Sequence, residues 1–234
     1  MNWDDTAPVL TGNPELDQLT GGCFSGGWQR SDLNMMCAKD KELLDEFFSK
    51  QIIGTSQNTS ANIGVFCRNV HKMGYYKSCP YKERIIECGE DILKLDVVET
   101  NNNEILILSE CEISIFSLRL LVRKMVRDFG VGIVFVEDIQ KFFFPQNINI
   151  KFRDFEGQQC SKIRCFKQLA LETNIPIVIG LDDLSVVENR NSKLRYDCDV
   201  IGVLTNEYNT ETSEYSHVLE LVKHRSGPTG KVNF

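Results

Sequence analysis

Apolar residues recur along this chain in two rhythms. In "KDKELLDEFFSKQIIG", Leu43, Leu44, Phe47, Phe48, Ile52 and Ile53 return every three or four positions, the spacing of one helical face, and the pattern predicts a helix stopped at Gly54. "SIFSLRLLVRKMVRDFG" is the clearest case. Ile115, Leu118, Leu121, Val122 and Met125 share a face, Arg119, Arg123, Lys124 and Arg127 lie elsewhere as a solvated surface, and Gly130 ends it. "QCSKIRCFKQLALETN" reads as a third helix, and "NPELDQLTGG" as a short one begun at Asn13 and Pro14 and stopped by Gly21 and Gly22.

The second rhythm is the short apolar run of strand length. "DLNMMCA", "NIGVFCRN", "ILKLDVVE", "EILILSE", "VGIVFVEDIQ" and "IPIVIGLDD" follow in order, then "DVIGVLTNEY" and "HVLELVKHR", joined by the polar "NEYNTETSEYS". Runs that are apolar at every position belong to parallel strands covered on both faces, and function collects at the carboxyl ends of such strands. Two of them end in carboxylates, Glu137 with Asp138 and Asp182 with Asp183. The stretch from Val70 to Cys88 shows no period, and Lys141 to Glu156 is irregular. Strands alternating with helices, then a β-rich end, predict an α/β fold: a mostly parallel central sheet with antiparallel carboxyl-terminal edge strands.

Composition narrows the picture. At 234 residues the chain is expected to form one domain, 1–234, with residues 1–10 as an amino-terminal extension. Hydrophobic residues at 42% and charged residues at 25% are ordinary globular usage and exclude a disordered chain. A net charge of -7 argues against a non-specific grip on nucleic acid or an anionic membrane, so any DNA contact is expected to be local. Nine scattered cysteines without a CxxC pair read as free thiols in a reducing compartment, with neither disulfides nor zinc. His71, His217 and His224 lack partners at ligand spacing, and no metal site is expected. The first ten residues carry no basic and apolar leader pattern, which leads to the expectation of a cytoplasmic protein.

The chain closes on "VKHRSGPTGKVNF". Lys223 and Arg225 stand two apart on a strand and therefore point the same way, at something negative. Taken in order, "TGNPELDQLTGG", "IVFVEDIQ", "KQLALETNIPIVIGLDDLS", "DCDVIGVL" and "VKHRSGPTG" resemble the carboxyl-terminal RecA-like motor domain of DnaB-type replicative helicases, from about Thr11 to Phe234. The resemblance implies a RecA-like three-layer sandwich of the P-loop NTPase fold and a place in DNA replication. It also implies that Lys223 and Arg225 reach across a subunit boundary to the phosphates of ATP held by a neighbour, where both cations would stabilise charge on a transferring phosphoryl group.

The family's other parts are altered. A phosphate-binding loop needs glycines whose N–H groups close on phosphate, a Lys for the outer phosphates and a hydroxyl for magnesium. "CAKDKELLDEFF" has no glycine; Leu44 falls where the Lys is expected and Asp45 where the hydroxyl is expected. Asn69 occupies the place of the family's catalytic Glu; it can orient water but cannot take its proton. Glu137 stands at the magnesium-associated position, with Asp138 next to it, and Asp183 replaces a polar Gln that contacts nucleotide or couples to DNA. "QKFFFPQNINIKFRDFEGQQ" matches the family's central-channel loops, where Phe142, Phe143, Phe144 and Phe152 would stack bases or meet a protein and Lys151 and Arg153 would meet phosphates.

Three readings follow. The first is an ATPase-deficient interaction module, without a nucleotide cofactor, whose partners are replication proteins or an active helicase subunit, with single-stranded DNA or a second copy of the chain as further partners. The second is an active helicase that binds ATP and magnesium through a divergent loop such as "LTGGCFSGGWQ". The third is a single-stranded nucleic-acid-binding module. Ring-forming relatives also use a linker helix and an amino-terminal domain, and the expectation from the few residues before Thr11 is that a hexamer is not stable.

Overall fold

The computed structural model describes residues 7–21, 26–67, 81–88, 91–109, 113–145, 155–189, 192–209 and 214–234. Its centre is β1 (Leu33–Cys37), hydrogen-bonded in parallel to β7 (Ile177–Leu181) on one side and β8 (Val200–Asn209) on the other. Beyond β7 come β6 (Val131–Val136), β2 (Asn62–Cys67) and β5 (Glu104–Ser109), all parallel. Beyond β8 the sheet turns antiparallel through β9 (Glu214–His224) and β10 (Gly230–Asn233), as the sequence predicts. The full order is β10-β9-β8-β1-β7-β6-β2-β5-β4-β3.

The other edge holds a feature absent from the hydrophobic pattern. β3 (Tyr81–Cys88) and β4 (Asp91–Glu99) pair antiparallel, and β4 pairs antiparallel with β5, so the sheet has antiparallel strands at both ends. β3 lies within the stretch that shows no period, because it is an edge strand with one wet face: Tyr81, Glu83, Ile85 and Glu87 are exposed while Ile86 is buried. Likewise the polar "NEYNTETSEYS" is largely strand, since β8 runs on to Asn209 and β9 begins at Glu214. Tyr208 and Tyr215 pack against each other across that pair, their rings tilted by 55° with centroids 4.9 Å apart.

Helices cover both faces, and alternation along β1 shows why both layers are needed. Leu33, Met35 and Cys37 join the core under α3 (Ile115–Phe129) and α4 (Phe155–Thr173), whereas Met36 joins the core under α1 (Pro14–Gly21) and α2 (Lys41–Asn58). α3 has the predicted bounds: Ser114 caps it by accepting from Ser117 N–H, and Gly130 closes it in the left-handed conformation at φ 63°. Its cations are a solvated face. Arg119 and Arg123 pair with Glu172 at 2.6 and 2.5 Å.

α2 overturns one expectation: it passes through Gly54 and ends at Asn58. Gly54 is required for another reason, because a Cβ there would sit 2.5 Å from the carbonyl oxygen of Thr11. The amino-terminal segment thus packs directly on the helix backbone. Within that segment Val9 is buried and exchanges backbone hydrogen bonds with Trp28 at 3.0 and 2.8 Å. Among the described residues no helix is long and apolar enough to cross a membrane.

Candidate functional site

Six neighbouring strands run parallel, so their carboxyl ends share one edge of the sheet. Cys37 lies opposite Leu181, Ile179 opposite Val136, and Phe66 opposite Val136. The segments that follow β1, β6 and β7 therefore meet there, at the place where an open α/β sheet binds ligands.

After β1 only Ala38, Lys39 and Asp40 precede α2. Ala38 N–H donates to Leu181 O at 3.2 Å, which ties the link to β7. Asp40 caps α2, its carboxylate accepting from Glu42 N–H at 2.8 Å. A carboxylate thus occupies the electropositive helix terminus that receives phosphate in a nucleotide-binding loop. Leu44 is fully buried in the core between helix and sheet, and Asp45 is partly buried one position on, with its backbone carbonyl accepting from Ser49 Oγ at 2.9 Å. The glycines of "LTGGCFSGGWQ" fall partly outside the described residues. Of those described, Gly27 holds φ 101° and its N–H donates to Asp17 O at 3.1 Å, so that donor serves the amino-terminal packing.

After β6 the chain turns at once. Glu137 is buried at 3% exposure and does not meet solvent as a strand-end carboxylate ordinarily does; its N–H donates to Phe66 O at 3.0 Å. Its charge, after burial, helps to push the Cys67 thiol well above the ordinary cysteine range. Asp138 caps a one-turn 3-10 helix (Ile139–Lys141) by accepting from Gln140 N–H at 2.8 Å. After β7, Asp183 accepts from both the N–H and the hydroxyl of Ser185, at 2.8 and 2.7 Å, and starts α5 (Ser185–Glu188). Burial and then the Asp183 charge push the Cys37 thiol up to about 12, so this cysteine is a core residue and no nucleophile.

The Phe run divides, because three consecutive side chains cannot all face one core. Phe142 is buried against Phe66 and Phe166, Phe144 packs on Phe116, and Phe143 is 43% exposed. Asn69, Lys151, Phe152 and Arg153 lie outside the described residues.

Lys223 and Arg225 do not lie at this edge. Val200, the first residue of β8, pairs with His224, so the two cations flank the amino end of the parallel strands, a β1 length or roughly 13 Å from its carboxyl end. They do point the same way, and what they meet belongs to their own chain. Lys223 Nζ donates to the backbone carbonyls of Arg195 and Cys198, beside α6 (Leu194–Asp197). Burial lowers its pKa from the ordinary lysine value. Arg225 pairs with Asp199 at 2.6 Å, donates to Tyr196 O at 3.2 Å and keeps half of its side chain in solvent. Asp199, 2% exposed, also receives Lys167 at 2.6 Å and the N–H of Leu33 at 2.8 Å. Beside this network burial and the Asp199 charge raise Asp32 to about 6. Sequence reading missed Asp199, because a single Asp before an apolar run looks like any strand boundary until the fold places two cations on it.

Comparison with known proteins agrees with this architecture. No curated protein matches the sequence. A DnaB-like replicative helicase, solved with its interactions with primase, is 18% identical with a TM-score of 0.65, over 98% of this chain and 60% of that one. The present chain therefore spans only 60% of that helicase's length. A KaiC-like protein from the hyperthermophilic archaeon Pyrococcus horikoshii OT3 is 11% identical with a TM-score of 0.60, over 98% of this chain and 94% of that one. Both likenesses establish a RecA-like fold. The sequence model of the DnaB-like helicase C-terminal domain matches residues 82–234, more than half of the chain and the part that carries β6, β7, Asp199, Lys223 and Arg225; the chain belongs to that family.

Proposed function

We propose that this chain is a DnaB-type module of DNA replication that holds no ATP of its own and works by association. Its partner is an active helicase subunit, to which it presents Arg225, or another replication protein. The observation that carries the reading is the link between β1 and α2: three residues, none of them glycine, with the Asp40 carboxylate seated at the helix terminus. Three residues leave no loop to wrap a triphosphate, and the fixed carboxylate repels one.

The position of the cations supports the same reading. Arg225 lies at the far end of the parallel strands from its own β1–α2 link, so its half-exposed guanidinium serves a neighbour better than itself. Lys223, tied to two carbonyls, holds α6 in place and keeps Arg225 beside it. Phe143 favours one addition, a stacking contact with single-stranded DNA or a flat partner surface.

Calorimetric titration of the purified chain with ATP and magnesium tests the reading. We expect no heat of binding, and a saturable isotherm at micromolar nucleotide overturns it. A filter-binding titration with oligo-dT at two salt concentrations tests the addition. Salt-sensitive binding that weakens in Phe143→Ala supports it, and binding that ignores the substitution removes it.

A further inference from the structure

β3 and β4 form an antiparallel ribbon whose two faces have different surroundings. One face is covered by its own chain. Ile86, Leu93 and Leu95 join the core beneath α3, Lys124 donates to Glu87 O at 3.0 Å, and Ser117 donates to Asp91 at 2.6 Å. The other face carries Tyr81, Glu83, Ile85 and Glu87 from β3, with Asp96, Lys94 and Ile92 opposite the last three on β4. Ile85 and Ile92 are diagonal neighbours there, exposed at 72% and 74%. No other isoleucine or leucine among the described residues is as open. On the same side of the sheet, Ile105 and Ile107 of β5 lie in the core with Leu44 and Phe48 of α2. The helix layer on that side therefore covers β5 and stops short of the ribbon.

Charge decides what kind of surface completes it. The bare face holds three carboxylates, Glu83, Glu87 and Asp96, against one ammonium, Lys94, which pairs with Glu83 at 2.5 Å. This excess of negative charge repels a nucleic-acid backbone and an anionic membrane. Apolar side chains set among carboxylates call for a helix with an apolar residue set among cations, and the chain itself has one. On α3, Phe116, Leu120, Arg123, Lys124 and Arg127 fall along one stripe, three or four residues apart or side by side at Arg123 and Lys124. Leu120 is 47% exposed, and the side chains of Arg123 and Arg127 are open to solvent as well. The last three turns of the helix set four cations, Arg119, Arg123, Lys124 and Arg127, against the two carboxylates that meet them, Glu172 and Asp128. The positive excess on the helix equals the negative excess on the ribbon.

We propose that the bare ribbon face is the docking surface for α3 of a second copy of the chain, which supplies there the helix layer that the chain's own α2 does not reach. Leu120 of one copy seats against Ile85 and Ile92 of the next, and the α3 cations meet Glu83, Glu87 and Asp96. The two surfaces in contact are different, so the interface is heterologous. Every copy offers one ribbon face and one α3 stripe, and copies join head to tail into a ring or an open chain. The inference goes beyond the proposed function and holds whether or not the chain binds ATP.

Sedimentation velocity on the full chain under reducing conditions tests it. The wild type is expected to self-associate with an apparent Kd on the order of 10–100 μM, and more weakly at about 1 M salt, where the screening length falls to about 3 Å. Ile85→Glu places a carboxylate opposite Lys94 in its own sheet, and Leu120→Glu places one a turn before Lys124 in its own helix, so a local pairing favours the fold of each variant. Each variant alone is expected to associate at least about tenfold more weakly than the wild type, the loss of a central apolar contact. Mixed in equal amounts, the two are expected to form a 1:1 complex that grows no further, because the intact α3 of one meets the intact ribbon of the other and the remaining surfaces are both spoiled. A wild type that stays monomeric, a single variant that associates as the wild type does, or a mixture that stays monomeric each overturns the proposal.

Discussion

Asp199 shows how much one buried carboxylate can organise. It receives Lys167 and Arg225, accepts from the first N–H of β1, and sits beside Asp32, whose own carboxyl is pushed up to about 6 by burial and by the Asp199 charge. A carboxyl with a raised folded pKa holds its proton more tightly in the native state than in the unfolded one. Its contribution to stability is therefore full below about pH 4 and is lost as pH rises through about 6. Asp32→Asn should remove that loss and gain stability at pH 7, on the order of 1 kcal/mol after solvent screening, with the difference from wild type closing towards pH 4. Urea unfolding across that range measures it, and a variant less stable at pH 7 contradicts the assignment. Lys223 makes a companion case. Lys223→Met keeps the stem but withdraws a donor from the carbonyls of Arg195 and Cys198, and should cost about 1–3 kcal/mol in the same assay. A cation whose only role is to meet a neighbour's phosphate would cost close to nothing in the isolated chain.

At the scale of the element, α2 carries the two features that distinguish the chain. Its first turn is capped by Asp40, and Asp40→Ala should cost about 1 kcal/mol of stability, as cap removal does, without creating affinity for ATP. Calorimetry and urea denaturation on one variant read both effects, and nucleotide binding gained by that single change would mean that the site was merely blocked. Further along, Gly54→Ala sets two principles against each other. Helix propensity favours alanine by about 1 kcal/mol, whereas the new Cβ would approach the Thr11 carbonyl oxygen to 2.5 Å. That oxygen belongs to backbone and has no rotamer to escape through, so steric overlap should win and the variant should lose about 1–3 kcal/mol. A stabilised variant would mean that the amino-terminal segment yields easily. The same contact explains why reading the glycine as a helix stop fails: glycine marks a close approach of two backbones as readily as it ends a helix.

For the whole molecule, the RecA-like sheet places the β1–α2 link at one end of its parallel strands and Arg225 at the other. A ligand that binds only the native state at 100 times its Kd stabilises by about 2.7 kcal/mol, which amounts to several degrees in Tm. Millimolar ATP with magnesium should leave the Tm of this chain unchanged, and a rise of that size would reveal a nucleotide site elsewhere in the fold. Much of the architecture was legible beforehand. Period and composition marked α1, α3 and the buried parallel strands, because a strand covered on both faces must be apolar at nearly every position and a surface helix must carry a stripe. Three consecutive Phe side chains cannot all face one core, so a run such as Phe142 to Phe144 implies that at least one is exposed or meets a partner, and Phe143 is the exposed one. The glycine-free link after β1 was readable for the same reason, since the presence or absence of glycine is a property of sequence alone. What the tertiary structure decided is where charges go. β3 escaped notice because half of an edge strand faces water. Asp199 became a hub only when β8 and β9 brought Arg225 to it. The bare face with Ile85 and Ile92 exists only where β3 pairs with β4. Local pattern records which face of an element is buried; it does not record which distant side chain waits on the other side, because that partner is chosen by chain connections hundreds of atoms long.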